Sequence, residues 1–382
     1  MADPVRLALI GCGRIAQVAH LPAVEKADGV ELVAVCDPSD AVAGPVARHY
    51  DIAAYTDRRS VWVDASVEAV IVTAPDRFHH ALASEALGTG RHVLVEKPLT
   101  ATLPEAEDLV ELVDRTGLTL QVGAMKRHDE GVRYARRFIA ERLGQARSFN
   151  AWYRIGDLRP GIEAALFPPV VAETAARRQE AGFKADRRRY LLATHGAHVF
   201  DTVRFLLGEV ASVAARHRQD GPDHVWQALL TTTAGAVGTV TIAADVPGLP
   251  SEGIEVFGAT GAVRADLHFP FYRRAATVHA YTDGAVVHPT LTDGDAYRRQ
   301  VEAFARAIRA GDRPVPDVRD GLAAVRLIQA TATAAATSSG VSRGKVRAKM
   351  PSRSASPPVP WRAASLTAAP RTRARPRSLW PG

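Results

Sequence analysis

Residues 194–205, THGAHVFDTVRF, set His195, His198 and Asp201 three residues apart in a stretch that otherwise reads as an apolar helix through Val199, Phe200, Val203 and Phe205. At about 100° per residue, steps of three keep side chains near one helix face. Such a row can ligate a metal, work as an imidazole acid/base with a carboxylate beside it, or simply pack and be solvated. HxxHxxD lacks the HExxH spacing of a zinc helix, and no further ligand cluster accompanies it, so no metal is expected. An imidazole titrates near working pH and suits the transfer of a hydroxyl proton. Lys97 is the second residue of note. It directly follows the apolar run HVLVE and is pinned before Pro98. It reads either as a surface lysine at a strand end or as a substrate-facing ammonium whose pKa desolvation moves down.

These groups need a scaffold, and the first half of the chain supplies its pattern. VRLALI (5–10) reads as a strand, GCGRIA (11–16) as a glycine turn, the stretch to about Lys26 as a helix, and ELVAVC (31–36) as a second strand ending at Asp37. Gly11 permits the tight turn, Gly13 lets backbone approach a pyrophosphate, and Ala16 still allows close helix–strand packing. The helix opening at Arg14 and Ile15 offers free N–H groups and its positive dipole end to the phosphates. Asp37, 24 residues past Gly13, stands where a ribose-binding acid belongs. Its carboxylate suits a ribose diol and repels a 2′-phosphate, so the pattern favours NAD over NADP.

The alternation continues. Strands are read at 67–75, 91–98 and 118–125, the first running through Thr73 into Pro75. Helices are read at 76–90, starting near His79, and from Thr102 to about Arg115, where Thr102 and Glu105 form a capping box. Alternating strands and helices imply a parallel sheet wound on both faces, with ligands beyond the carboxyl ends of its strands. Asp37, Pro75 and Glu96-Lys97-Pro98 lie at such ends. The second half reads differently: 147–154, 210–218, 224–233, 235–244, 253–260 and 261–267 are strands separated by turn residues.

Composition narrows the function classes. The net charge of +7 is misleading, because residues 341–382 carry ten Lys/Arg and no acid, which leaves the rest of the chain at −3. The basic character belongs to a Pro/Ser/Ala/Arg-rich tail, expected to be disordered, and not to a nucleic-acid-binding face. No apolar run approaches the ~18 residues of a membrane span. The early residues read as a first strand, not a leader. Two cysteines, Cys12 and Cys36, make no disulfide framework; they read as small buried fillers in a reducing, cytoplasmic protein. Six lysines against 42 arginines suggest a GC-rich bacterial genome.

GCGRIAQVAHLPA, TAPDRFHHALASEAL, GRHVLVEKPLT, VGAMKRHDEGVRYAR and the stretch from Tyr297 to Gly340 together resemble the Gfo/Idh/MocA oxidoreductases, from about residue 5 to Val346. The resemblance implies an α/β protein: an N-terminal Rossmann domain (1–123), then an α/β domain with a large open, mostly antiparallel sheet for substrate binding and oligomerisation (124–346), then the basic tail (347–382). It implies NAD(P)-dependent chemistry at a secondary hydroxyl or ketone of a sugar or cyclitol, and a homodimer or homotetramer. Lys97 matches the EKP lysine that meets the reacting hydroxyl, in a Lys97-Pro98 bond that is often cis in relatives. Glu96 supports the cofactor end.

Relatives carry a helix resembling D-x-G-x-H-x-x-D, which aligns on Gly196, His198 and Asp201 and puts Thr194 where the first acid stands. The implied catalytic pair is Lys97 and His198, with His198 as general base in oxidation and general acid in reduction. Asp201 orients it or joins Thr194 at the substrate. Lys126 and Arg127, where the chain crosses between domains, read either as cleft residues binding substrate hydroxyls or the cofactor, or as surface charge. The implied cofactor set is Gly11, Gly13, Arg14, Ile15, Asp37, Thr73, Pro75, His79, Glu96 and Lys97. The missing early acid leaves room for an amino sugar or aminocyclitol of specialised, antibiotic-type metabolism. An NAD-using glycosidase and a non-catalytic NAD-binding regulator remain alternatives on the same fold.

Overall fold

The structure, a computed structural model, describes residues 3–171 and 186–337. The 347–382 tail lies outside the described residues.

Six short strands form the first sheet: β1 (Val5–Ile10), β2 (Val30–Cys36), β3 (Ala53–Tyr55), β4 (Ala69–Val72), β5 (His92–Glu96) and β6 (Leu120–Gly123). Their order is β3-β2-β1-β4-β5-β6, with every pairing parallel. Parallel strands are covered on both faces, which explains why they are apolar throughout. Side chains alternate between two cores. Ala8, Ile10, Val70, Val72, Val93 and Val95 enter one, while Leu7, Leu9, Ile71 and Leu94 enter the other with Val301 and Phe304 of the later helix Ala296–Ala310.

Two expectations from the sequence change in detail. The first helix is not uniform to Lys26: Ala16–His20 is a π-helical turn followed by Leu21–Val24, with Pro22 in the first turn of the second piece. The strand read at 118–125 is only β6, because the chain turns at Ala124 and Met125–His128 forms a 3₁₀ turn with Lys126, Arg127 and His128 buried.

The second sheet has eight strands: β7 (Ala146–Gly156), β8 (Val210–Asp220), β9 (Asp223–Thr232), β10 (Val237–Val246), β11 (Ser251–Gly258), β12 (Gly261–Leu267), β13 (Thr277–Thr282) and β14 (Ala285–Val287). Their order is β14-β13-β12-β11-β7-β10-β9-β8. Only β7 and β10 run parallel; the remaining pairs are antiparallel. One face is apolar and packed. His224, Trp226, Ala228 and Leu230 of β9 alternate with outward Val225, Gln227 and Leu229, and Phe149, Ala151 and Tyr153 of β7 point the same way as the inward set. The inward residues share a core with helices Glu130–Glu141, Arg187–Leu207 and Val318–Thr337.

Candidate active site

The glycine turn follows β1. Gly11 has φ +93°, a conformation L side chains rarely adopt, and a Cβ there would come within 2.8 Å of the Ala74 backbone nitrogen. No atom stands within 4 Å of where a Cβ on Gly13 would sit, so backbone is open to a close-lying ligand at that point. Asp37, at the carboxyl end of β2, accepts from the backbone N–H groups of Cys12 (2.9 Å) and Ser39 (3.0 Å). A carboxylate has about four lone-pair sites, so it can still receive a ribose diol. Turn, helix start and acid fit the pyrophosphate and adenosine ribose of a dinucleotide.

Three residues assigned to the cofactor turn out to hold the loops around it. Thr73 is buried, and its hydroxyl donates to the carbonyls of Gly11 (2.6 Å) and Ile10 (3.2 Å). His79 has both ring nitrogens occupied, Nδ1 at 2.8 Å from the Pro98 carbonyl and Nε2 at 2.8 Å from the Ala74 carbonyl. It braces the ends of β4 and β5, with both ring nitrogens turned to backbone carbonyls; burial pushes its pKa down. Arg14 turns from the phosphates' side toward helix Arg159–Leu166, donating to the Phe167 carbonyl (3.1 Å) and lying 3.6 Å from Glu163. Ile15 packs beside Ala19, Ala23, Met125 and Tyr297, and Pro75 caps a short 3₁₀ turn, Asp76–Phe78.

At the end of β5, Glu96 is buried. Its carboxylate lies 2.8 Å from His20 Nε2 and accepts from the Lys97 N–H at 3.1 Å. Burial pushes this carboxyl up, but the His20 hydrogen bond and the nearby charges of His20 and Lys97 outweigh it, so the net shift is downward. Lys97 is partly buried, and the Lys97-Pro98 bond is cis. Among the described residues its ammonium has no hydrogen-bond partner. Burial lowers its pKa, Glu96 opposes that, and Arg159 adds to it.

Helix Arg187–Leu207 starts where the Asp186 side chain accepts the Arg189 N–H at 3.0 Å and ends at Gly208, φ +82°. It presents its polar row to two different neighbours. His195 and His198 lie against Tyr153 of β7, with ring centroids at 5.4 and 5.2 Å and planes 18° and 5° apart. Both imidazoles are held well below the usual histidine range, first by burial. For His198 the next causes are Lys126, Lys97 and Arg159.

Asp201 points elsewhere. It accepts three hydrogen bonds from the Arg127 guanidinium, at 3.1, 2.9 and 2.7 Å. Arg127 also lies 3.1 Å from Asp320, and Arg204 joins the group 3.6 Å from Asp320. The expectation that Asp201 orients His198 or meets the substrate with Arg127 is therefore corrected. The two neutralise each other in a buried network joining three segments. Thr194 is partly buried, at the position of the missing acid.

Sequence reasoning missed the residues that finish the cleft. Tyr153 is its hub. Lys126 Nζ sits 4.6 Å from the Tyr153 ring centroid and pairs with Glu252 of β11, and Arg159 donates to the Tyr153 hydroxyl at 3.2 Å. Burial pushes Lys126 down to about 8 and pushes Glu252 up. The period-two alternation of β7 already put Tyr153 inward with Phe149 and Ala151, which was the available signal. Arg159 and Glu252 carried none.

An open glycine turn with an acid beyond β2, a lysine beyond β5 and the histidines of helix Arg187–Leu207 fit a nicotinamide nucleotide and a C–OH or C=O group. Comparison with known proteins makes the class specific. A model of an oxidoreductase family with an NAD-binding Rossmann fold, GFO_IDH_MocA, matches residues 5–124, and the model of that family's C-terminal α/β domain matches 191–342. The chain belongs to the Gfo/Idh/MocA oxidoreductase family. It is 28% identical over 340 residues to a D-xylose 1-dehydrogenase (NADP(+)) of Haloferax volcanii, spanning 87% of this chain and 98% of that protein. It is 28% identical over 342 residues to an inositol 2-dehydrogenase of Rhizobium meliloti, spanning 85% and 95%. Among solved structures, a 3-ketoreductase from Actinomadura kijaniata in complex with TDP-benzene and NADP superposes with a TM-score of 0.68 at 25% identity, covering 87% of this chain and 98% of that one. The chain is thus an NAD(P)-dependent dehydrogenase or reductase. No helix among the described residues is long and apolar enough to cross a membrane.

Proposed function

We propose that this enzyme interconverts a secondary hydroxyl and its ketone on a sugar, amino sugar or cyclitol, with NAD as its cofactor and Lys97 and His198 as the reacting pair. The observation that carries this reading is the His198 imidazole stacked on Tyr153, in a cleft whose Lys97 ammonium has no partner among the described residues. Bound NAD(P) supplies hydride acceptance and return. His198 takes the hydroxyl proton in oxidation and gives it back in reduction. Lys97 donates to the same oxygen and stabilises the negative charge that develops there, where water is scarce. Glu96 fixes the backbone of Lys97 from behind.

The test is NADH formation by the purified protein with a panel of hexoses, amino sugars, cyclitols and glycosides, run in parallel with NADP. Turnover of one alcohol class with NAD is the expected result. Release of free sugar without net NADH would instead identify glycosidase chemistry, and cofactor binding with no turnover in either direction would identify a regulator. In the same assay Asp37→Ala should weaken NAD more than NADP; an unchanged preference removes Asp37 from ribose recognition.

The outward face of the second sheet supports a homodimer or homotetramer. Leu229, Val237, Phe257 and Tyr281 are exposed on it, and apolar groups on an uncovered sheet face favour a partner surface. A monomeric mass by light scattering would overturn this assignment.

A further inference from the structure

The unused hydrogen-bond donors of the cleft point to a substrate narrower than a neutral sugar. Two cations meet at Tyr153, Lys126 at its ring and Arg159 at its hydroxyl, and Lys97 is the third cation of the cleft. All three act on the neutral imidazoles of His195 and His198. The carboxylates beside them are already engaged. Glu252 is paired with Lys126, Glu163 is shared between Arg159 (2.5 Å) and Arg14 (3.6 Å), and Glu96 faces His20 and the Lys97 backbone. Asp76, the remaining acid acting on Lys97, accepts the Arg77 N–H. Thr194 adds no charge to the site helix.

Arg159 has the form of an anion receptor. It opens helix Arg159–Leu166 and lies over the Phe269 ring at 4.8 Å. Its Nε donates to Glu163 and its Nη1 to the Tyr153 hydroxyl at 3.2 Å. A guanidinium carries five N–H donors in a planar fork, and among the described residues Nη2 has no partner. Because the Tyr153 oxygen accepts from Arg159, its own O–H is left to donate elsewhere. Burial pushes that phenol up to about 12, so it keeps its proton at neutral pH. Fork and phenol together offer two adjacent donors, the arrangement that suits the two oxygens of a carboxylate.

We propose that the substrate carries a carboxylate, making it a sugar acid such as a uronate or aldonate, and that Arg159 and the Tyr153 hydroxyl receive this group. The proposal rests on the alcohol-oxidation reading above but concerns a separate part of the molecule. The neutral histidines remain free for the proton, and the anion takes up donors of Arg159 and Tyr153 that no described residue uses.

The experiment pairs each acid with its neutral parent: D-glucuronate with D-glucose, D-galacturonate with D-galactose, and D-gluconate with D-glucitol. Binding to the enzyme–NAD complex is followed by calorimetry and turnover by NADH formation. At least one acid should bind tenfold or more tighter than its parent. In Arg159→Gln that ratio should fall toward one, and Arg159→Lys should restore part of it. Melting temperature and NAD affinity in the variants report whether the fold is intact. Neutral parents that bind as tightly as the acids, a preference that survives Arg159→Gln, or binding by neither set each overturns the proposal. Acids that bind preferentially but give no oxidation, and whose keto forms are not reduced, leave the carboxylate site standing and remove the alcohol-oxidation reading.

Discussion

Lys97→Ala and His198→Ala will each lower turnover by about a hundredfold or more, while NAD(P) still binds. In the mechanism proposed above, the two side chains act on one oxygen in opposite senses: His198 removes or returns the proton, and Lys97 holds the negative charge. Neither touches the glycine turn or Asp37, so cofactor affinity is an internal control. The pH profile separates their roles. His198 must be unprotonated to accept a proton, and its pKa is held well below 6.5 by burial and then by Lys126 and Lys97. The acid limb of kcat/KM for oxidation therefore falls well below pH 6.5, and it should vanish in His198→Ala. Lys97 must be charged to stabilise the oxygen. Burial lowers its pKa from 10.5, so the alkaline limb comes in below that value as the ammonium loses its proton. Near-normal turnover in either variant, or an acid limb at the ordinary imidazole value, would remove that residue from the reacting pair.

The largest effect on stability should come from Asp201→Ala. Asp201 and Arg127 have side chains only 7% and 6% exposed. Removing one member of a buried, hydrogen-bonded ion pair costs about 3–5 kcal/mol, because the other charge stays desolvated. Here the loss leaves Arg127 and Arg204 facing Asp320 with one acid fewer, and it loosens the junction between the 3₁₀ turn Met125–His128, the site helix and helix Val318–Thr337. Against a total of roughly 5–15 kcal/mol for a typical domain, that is a large fraction. Urea denaturation measures it. The same variant tests the corrected role of Asp201. A brace alters the denaturation midpoint and leaves KM of the folded enzyme nearly unchanged. A substrate ligand would raise KM at unchanged stability.

The scaffold was legible because its signals are local. The apolar runs of β1, β2, β4 and β5, the glycines at 11 and 13, the acid at 37 and the Glu96-Lys97-Pro98 element each show within a few residues, because a doubly covered parallel sheet demands apolar strands and a tight turn demands glycine. Short or exposed strands were harder to read. β3 has only three residues and β14 only three, all exposed, so neither carries a burial pattern to detect.

The site was legible only in part. Lys97 and His198 stood out through their motifs. Tyr153, Arg159 and Glu252 did not, since an inward tyrosine on a strand and an arginine at a helix start are ordinary residues until something packs against them. The row at 195, 198 and 201 makes the point most directly. Its spacing correctly placed three polar groups on one helix but could not say what each would face. That depended on Arg127, 74 residues before Asp201, and on Tyr153, brought to the two histidines by the second sheet. Likewise Lys126 meets Glu252 across 126 residues. By itself the sequence determined the cofactor scaffold, because periodicity and turn geometry act over a few neighbouring residues. Tertiary structure alone decided which charges are cancelled and which remain, because electrostatic partners are chosen by distance in space.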